Sequence, residues 1–196
     1  MKWIVITSPN FLQGEATFIP RLFDHGVDLL HLRKPGASME ACRQLLDEIP
    51  HEWHNRIVLH SHFELASMYN LHGVHLNHRC PQAPEGLDKS ISCSCHSLEE
   101  VVQNKPQKNY VFLSPIFDSI SKEGYGAAFS PEVLRDAASR HVIDDKVVAL
   151  GGIEASHINA LKEWHFGGAA FLGDIWNRFN DKDVDAYLDH LRQLLK

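Results

Sequence analysis

VVALGGIEASHINAL (residues 147–161), followed closely by GGAAFLGDIW (residues 167–176), decides the fold. In each, a short apolar run ends on glycine and gives way to a new segment, so the strands read KVVALG at 146–151 and AAFLG at 169–173. Working outward, the same pattern recurs as KWIVIT (2–7), VDLLHLR (27–33), RIVLH (56–60), GVHL (73–76), SISCS (90–94) and YVFLS (110–114). Between the strands lie stretches with helical spacing, such as Met39, Cys42, Leu45, Leu46 and Ile49, or Val184, Leu188, Leu191 and Leu195. Ser97 with Glu100 makes a capping box, and Ser130 before Pro131 sets proline at a first helical position. Pro81 to Lys89 is too short and too rich in proline and glycine for a full helix, so the fourth connection is expected to be reduced. Strands alternating with helices imply a parallel sheet. A compact single-domain α/β fold over residues 1–196, a (β/α)8 TIM barrel, is expected rather than an open doubly wound sheet, because TSPN after the first strand lacks a glycine-rich turn.

Composition supports a packed core and excludes several classes of partner. The chain has 196 residues, 44% hydrophobic and 22% charged, within the ordinary range for globular domains. A net charge of −6 without a basic block argues against nucleic acid. The apolar run in MKWIVITSPN is too short for a signal-peptide core or a membrane span. Cys42, Cys80, Cys93 and Cys95 form no disulfide framework, so a cytoplasmic location is expected. A homo-oligomer is compatible with all of this.

In a barrel, chemistry gathers at the C-terminal ends of the strands, and the loops after strands seven and eight commonly hold phosphate. Gly151 and Gly152 follow VVAL, and Gly173 follows AAFL. Glycines there let backbone N–H groups approach an anion; one such glycine alone would be read as shaping a turn. The stretch 118–129, DSISKEGYGAAF, has neither helix nor strand pattern. Ser119, Ser121 and Lys122 give it hydroxyls and a cation suited to an anionic ligand; a surface loop without a binding role is the other reading.

Histidine is the third signal. His31, His60, His75 and His96 stand at or near strand ends, with Arg33 on the same side of its strand as His31. Any of them suits proton transfer near neutrality, although packing without a role is the simpler account of His75. His60-Ser-His62, His75-x-x-His78 and Cys93-x-Cys95-His96 contain metal-ligand types, but none has the paired spacing of a zinc motif, and no metal is assigned.

LLHLRKPG (29–36), SCSCHSLEEVV (92–102), YVFLSPIFDSISKEGYG (110–126), VVALGGIEASHINAL (147–161) and GGAAFLGDIW (167–176) together resemble the thiamin phosphate synthase and thiazole tautomerase superfamily, over nearly the whole chain. The resemblance implies a barrel enzyme of thiamin biosynthesis whose substrate, a thiazole ethyl phosphate, rests on the glycine loops after strands seven and eight. Its synthase branch joins that thiazole to a pyrimidine carried as its diphosphate, with Mg²⁺ holding the leaving pyrophosphate. Arg33, Ser94, Ser119, Ser121, Lys122 and Gly152 match that branch. The chain departs from it where the branch has a lysine, here Pro35, with Lys34 on the opposite face. It departs again where the branch has an Asn-Asp pair and a further Asp, here His60-Ser61 and LNHRCP.

Mg²⁺ prefers carboxylate and phosphate oxygens, so these departures favour the tautomerase branch, for which no cofactor is implied. Its strand-five pattern looks like Ser94 to Glu100, a pattern the synthases share in part. The expected activity is therefore aromatisation of a thiazole carboxylate phosphate. His96 would move the proton, Arg33 hold the carboxylate, and Ser94 and His31 orient the substrate. Gly151, Gly152 and Gly173 would bind phosphate, with Ser119, Ser121 and Lys122 covering it. The alternatives are the synthase reaction, with Mg²⁺, and a catalytically silent barrel that keeps only the phosphate site.

Overall fold

The computed structural model describes residues 1–118 and 128–196. Its strands are β1 (Lys2–Ile6), β2 (Leu29–Leu32), β3 (Ile57–Leu59), β4 (Gly73–Leu76), β5 (Ser90–Cys95), β6 (Tyr110–Leu113), β7 (Val147–Leu150) and β8 (Gly168–Phe171). They pair in chain order, all parallel, and β8 closes on β1 with Lys2 opposite Gly168 and Val5 opposite Phe171. The expected TIM barrel is thus observed, with strand ends differing from the sequence reading by a residue or two.

The helices around it are α1 (Glu15–Asp24), α2 (Met39–Glu48), α3 (Leu65–Met68), α4 (Leu98–Asn104), α5 (Pro131–Ser139), α6 (Ile158–Glu163), α7 (Gly173–Trp176) and α8 (Val184–Leu195). Ser97 caps α4, accepting from the Glu100 amide at 3.2 Å, and Ser130 caps α5, accepting from Val133 at 3.4 Å. The Glu100 carboxylate in turn accepts from the His96 amide at 2.7 Å, which fixes the backbone of His96. The connection from β4 to β5 is reduced as expected. Asn77 and Cys80 exchange backbone hydrogen bonds there in a tight turn in place of a helix.

Side-chain alternation along the strands divides the core in two. Trp3, Val5, Leu30, Leu32, Ile57, Leu59, Val147, Ala149 and Phe171 face outward and meet the helices, including Val184, Leu188, Leu191 and Leu195 of α8. Cys42, Leu45, Leu46 and Ile49 join them, whereas Met39, at the first position of α2, is exposed. Ile4, Ile6, Leu29, Val58, Tyr110, Phe112, Val148 and Ala170 fill the barrel itself.

One buried ion pair ties the first two strands to α1. Lys34, just beyond β2, places Nζ 2.6 and 2.7 Å from the two Glu15 carboxylate oxygens and 2.9 and 2.8 Å from the carbonyls of Ser8 and Asn10. Both side chains are sealed from solvent. Breaking one half leaves an uncompensated buried charge, whereas replacing both removes the desolvation cost along with the attraction. Lys34→Met is therefore expected to lower the unfolding free energy by about 3–5 kcal/mol. The double variant with Glu15→Leu should recover most of that loss, as read by urea denaturation.

Candidate active site

Residues at the inward positions of the strands build the site. On one side of the barrel, Ile4, Ile6, Val148 and Ala170 make an apolar wall. On the other, β2 to β6 direct polar groups inward. His31 Nδ1 lies 2.9 Å from His60 Nε2, and His31 Nε2 lies 2.7 Å from the Tyr110 hydroxyl. His75 Nδ1 lies 2.8 Å from Ser92 Oγ, and its Nε2 lies 2.9 Å from Ser94 Oγ. The His60 and His75 rings stack at 4.4 Å, and His31 stacks on Phe112 at 4.8 Å.

These imidazoles are buried, and burial is what sets their charge. Desolvation holds His31 and His60 well below the ordinary histidine value and takes His75 down to about 3. All three are neutral near pH 7. Tyr110 is pushed up for the same reason and keeps its proton.

The sequence reading placed four histidines around one mouth; the structure separates them by depth. His31 and His75 are fully buried and His60 is 9% exposed, so these three form a layer beneath the mouth. His31 has both ring nitrogens engaged and reaches a ligand only through His60. His96 alone stands exposed on the rim, with Nδ1 3.2 Å from the Ser114 carbonyl oxygen. Ser94 sits between the layers, half-buried and joined to His75.

Arg33 is half-buried above His31. Its backbone is clamped to Thr7, whose hydroxyl accepts from the Arg33 amide at 2.9 Å and donates to its carbonyl at 3.1 Å. Burial, and then the charge of Arg79 from the β4 turn, lower its guanidinium below the usual arginine value. Arg79 is exposed, and its amide donates to Asn77 Oδ1 at 3.1 Å. Asn77 Nδ2 donates to the His60 carbonyl at 2.9 Å, which anchors that turn to the end of β3. Lys34 is consumed by Glu15 and cannot serve an anion at the mouth.

Ser119, Ser121 and Lys122 lie outside the described residues. Gly151 and Gly152 sit at the end of β7 with φ of +97° and +64°. A Cβ on Gly151 would stand 2.9 Å from Pro115, and one on Gly152 would stand 2.2 Å from the Asp118 carbonyl oxygen. The backbone after β6 packs directly on these glycines, so they have a steric duty whatever else they bind. Gly173 opens the short α7, and a Cβ there would meet only Asn177, at 3.9 Å. Trp176 fixes that turn to β1 by donating from Nε1 to the Ile6 carbonyl at 2.6 Å.

Sequence reasoning missed Tyr110, Ser92, Arg79 and the Glu15–Lys34 pair. For Tyr110 and Ser92 the signal was present: counting by twos inward from the strand ends reaches both. For Arg79 and Glu15 it was not, because they meet their partners through loop geometry.

A closed (β/α)8 barrel with a cationic, hydroxyl-bearing rim and glycine turns after β7 and β8 defines an enzyme built for a small anionic substrate. The chain belongs to the thiamine monophosphate synthase family, whose model matches residues 3–175. The thiamine-phosphate synthase of Geobacillus kaustophilus is 26% identical over 197 residues, covering 95% of this chain and 89% of the relative. The crystal structure of a thiamine phosphate pyrophosphorylase from Bacteroides thetaiotaomicron is 42% identical with a TM-score of 0.89, covering 99% of this chain and 97% of that one. A thiamine phosphate pyrophosphorylase from Pyrococcus furiosus, 19% identical with a TM-score of 0.77, shares the fold.

These findings overturn the expected tautomerase assignment, since the family and the relatives are synthases. The assignment had rested on missing carboxylates, which bear on one metal site, and on a strand-five motif common to both branches. The protein is an enzyme of thiamine biosynthesis of the synthase, or transferase, type. No helix among the described residues is long and apolar enough to cross a membrane.

The two glycine positions separate steric from binding duty. Gly152→Ala should destabilise the fold by about 1–3 kcal/mol, through its positive φ and its collision with the loop after β6. Gly173→Ala should stay within about 0.5 kcal/mol of wild type while weakening binding of inorganic phosphate. Thermal denaturation and phosphate titration of both variants check this.

Proposed function

We propose that this protein couples a thiazole ethyl phosphate with a pyrimidine carried as its diphosphate, releasing pyrophosphate, and that it works in the cytoplasm. The observation carrying this reading is the 42% identity to a thiamine phosphate pyrophosphorylase across 99% of the chain. A bond forms between the two heterocycles as the carbon–oxygen bond to the diphosphate breaks, and the pyrophosphate leaves with the electron pair.

In this reading the N–H groups around Gly151, Gly152 and Gly173 hold the thiazole phosphate. Ser94, oriented by its hydrogen bond to His75, and His96 on the rim position the ring partners. His31 acts a layer below, holding His60 in place. With no substrate carboxylate in the reaction, Arg33 takes the diphosphate instead, by charge-assisted and bidentate contacts. Ser119, Ser121 and Lys122 complete the anion site.

Mg²⁺ belongs to the synthase branch, and the described residues do not fit it. The ends of β3 and β4 offer His60, Ser61, Asn77, His78 and Arg79, with no carboxylate. Of the described carboxylates at this end of the barrel, Glu15 is held by Lys34 and Asp174 by Tyr187 and Arg178, while Asp118 stands beside Gly152 after β6, on the side away from β3 and β4. A hard cation that wants oxygen ligands finds nitrogen and positive charge here. No step is derived through it. Arg33, with Arg79 of the turn after β4, carries the cationic role toward the leaving pyrophosphate.

Incubation with both substrates should yield coupled product and pyrophosphate in equal amounts. Binding of both without turnover would overturn the proposal in favour of a silent barrel. Arg33→Gln should lower kcat by about 10²–10³-fold, the usual effect of removing one donor to developing negative charge. Steady-state kinetics on the folded variant measure it.

A further inference from the structure

We propose that His31, His60 and His75 form a binding site for one zinc-class divalent ion inside the barrel, under the mouth. The three imidazoles come from the adjacent strands β2, β3 and β4, and each offers a ring nitrogen within 4.8 Å of the others. Zinc with histidine bonds of about 2.0–2.1 Å sets its ligand nitrogens about 3.3 Å apart. The 2.9 Å separation of His31 Nδ1 from His60 Nε2 opens by a few tenths of an ångström to reach that spacing, and His75, stacked on His60 at 4.4 Å, turns its ring out of that stack to bring its nitrogen in.

The second shell carries the inference further. A metal-bound histidine usually donates its other ring N–H to a fixed acceptor. Ser92 Oγ directs its hydrogen toward the Val74 carbonyl at 3.4 Å and so accepts from His75 Nδ1 at 2.8 Å. That leaves the lone pair of His75 Nε2 on the Ser94 hydroxyl at 2.9 Å, a hydrogen bond that an entering ion replaces. His31 Nε2 is 2.7 Å from the Tyr110 hydroxyl, so with its N–H there His31 presents the Nδ1 lone pair. His60 then donates from Nε2 to His31 Nδ1 in the metal-free network. Metal entry replaces that hydrogen bond: the His60 proton moves to its other ring nitrogen, no proton is lost, and Nε2 becomes the third ligand.

The fourth position opens toward the mouth, where Ser94 Oγ lies 2.9 Å from His75 Nε2. Three neutral imidazoles leave the ion's charge uncompensated, so that position suits a hydroxide or a ligand's anionic oxygen. Three nitrogen ligands and one open position is the donor set of zinc rather than of magnesium. None of this depends on the coupling reaction proposed above.

Cobalt(II) is the probe, because tetrahedral cobalt absorbs visible light far more strongly than octahedral cobalt. Chelator-stripped, full-length protein should take up one Co²⁺ per chain with an intense tetrahedral spectrum that equimolar Zn²⁺ abolishes. His60→Asn, shown to be folded by circular dichroism, should lose that spectrum. Tyr110→Phe, which removes only the outer acceptor, should weaken Zn²⁺ binding by about 10–100-fold. Faint octahedral spectra, several weak sites per chain, or a tetrahedral signal that survives His60→Asn would each overturn the proposal and assign binding to surface histidines.

Discussion

Closure of the sheet between β8 and β1 is the constraint on which the rest of the molecule depends. Once Lys2 pairs with Gly168 and Val5 with Phe171, no strand can slip by one residue without turning its side chains inside out. The inward set is thereby specified all the way round. It fills half the barrel with aliphatic and alanine side chains and half with imidazole, phenol and hydroxyl groups. A polar half in a barrel core is tolerated because its groups satisfy one another: His31 with His60 and Tyr110, His75 with Ser92 and Ser94. The polar half rises into the rim where Arg33 and His96 stand, so the polarity of the mouth continues that of the core beneath it.

Much of this was legible in the sequence for a simple reason. Strand alternation and helix spacing are local, and the eight apolar runs, the Ser97 and Ser130 caps and the reduced connection from β4 to β5 all follow from residues close in the chain. Depth was not legible. His31, His60, His75 and His96 look equivalent as residues near strand ends, yet one position along a strand is about 3.3 Å along the barrel, enough to separate a sealed layer from an exposed rim. The loop contacts were also out of reach. The partner of Lys34 shows only once the turn at Ser8 to Asn10 and the start of α1 close around it. The steric duty of Gly151 and Gly152 likewise shows only once Pro115 and Asp118 are found against them.

The functional branch was misread where residues were judged by what they lack. His60, Ser61 and Arg79 stand where acidic groups would serve a magnesium site. It does not follow that the reaction class changes. A leaving pyrophosphate needs positive charge nearby, and a guanidinium supplies it as directly as a carboxylate-held cation, at the cost of less adjustable geometry. At this mouth burial, and then the like charge of Arg79, lower the Arg33 guanidinium below its usual value.

The packing of Gly151 and Gly152 against Pro115, Phe117 and Asp118 also bears on how such a site can diverge over generations. Neither loop can accept a bulkier residue while the other keeps its course, so their histories are coupled. Substrate preference at this end of the barrel would then drift through paired, compensating replacements, and ancestral intermediates carrying only one of the two would be poorly folded and short-lived.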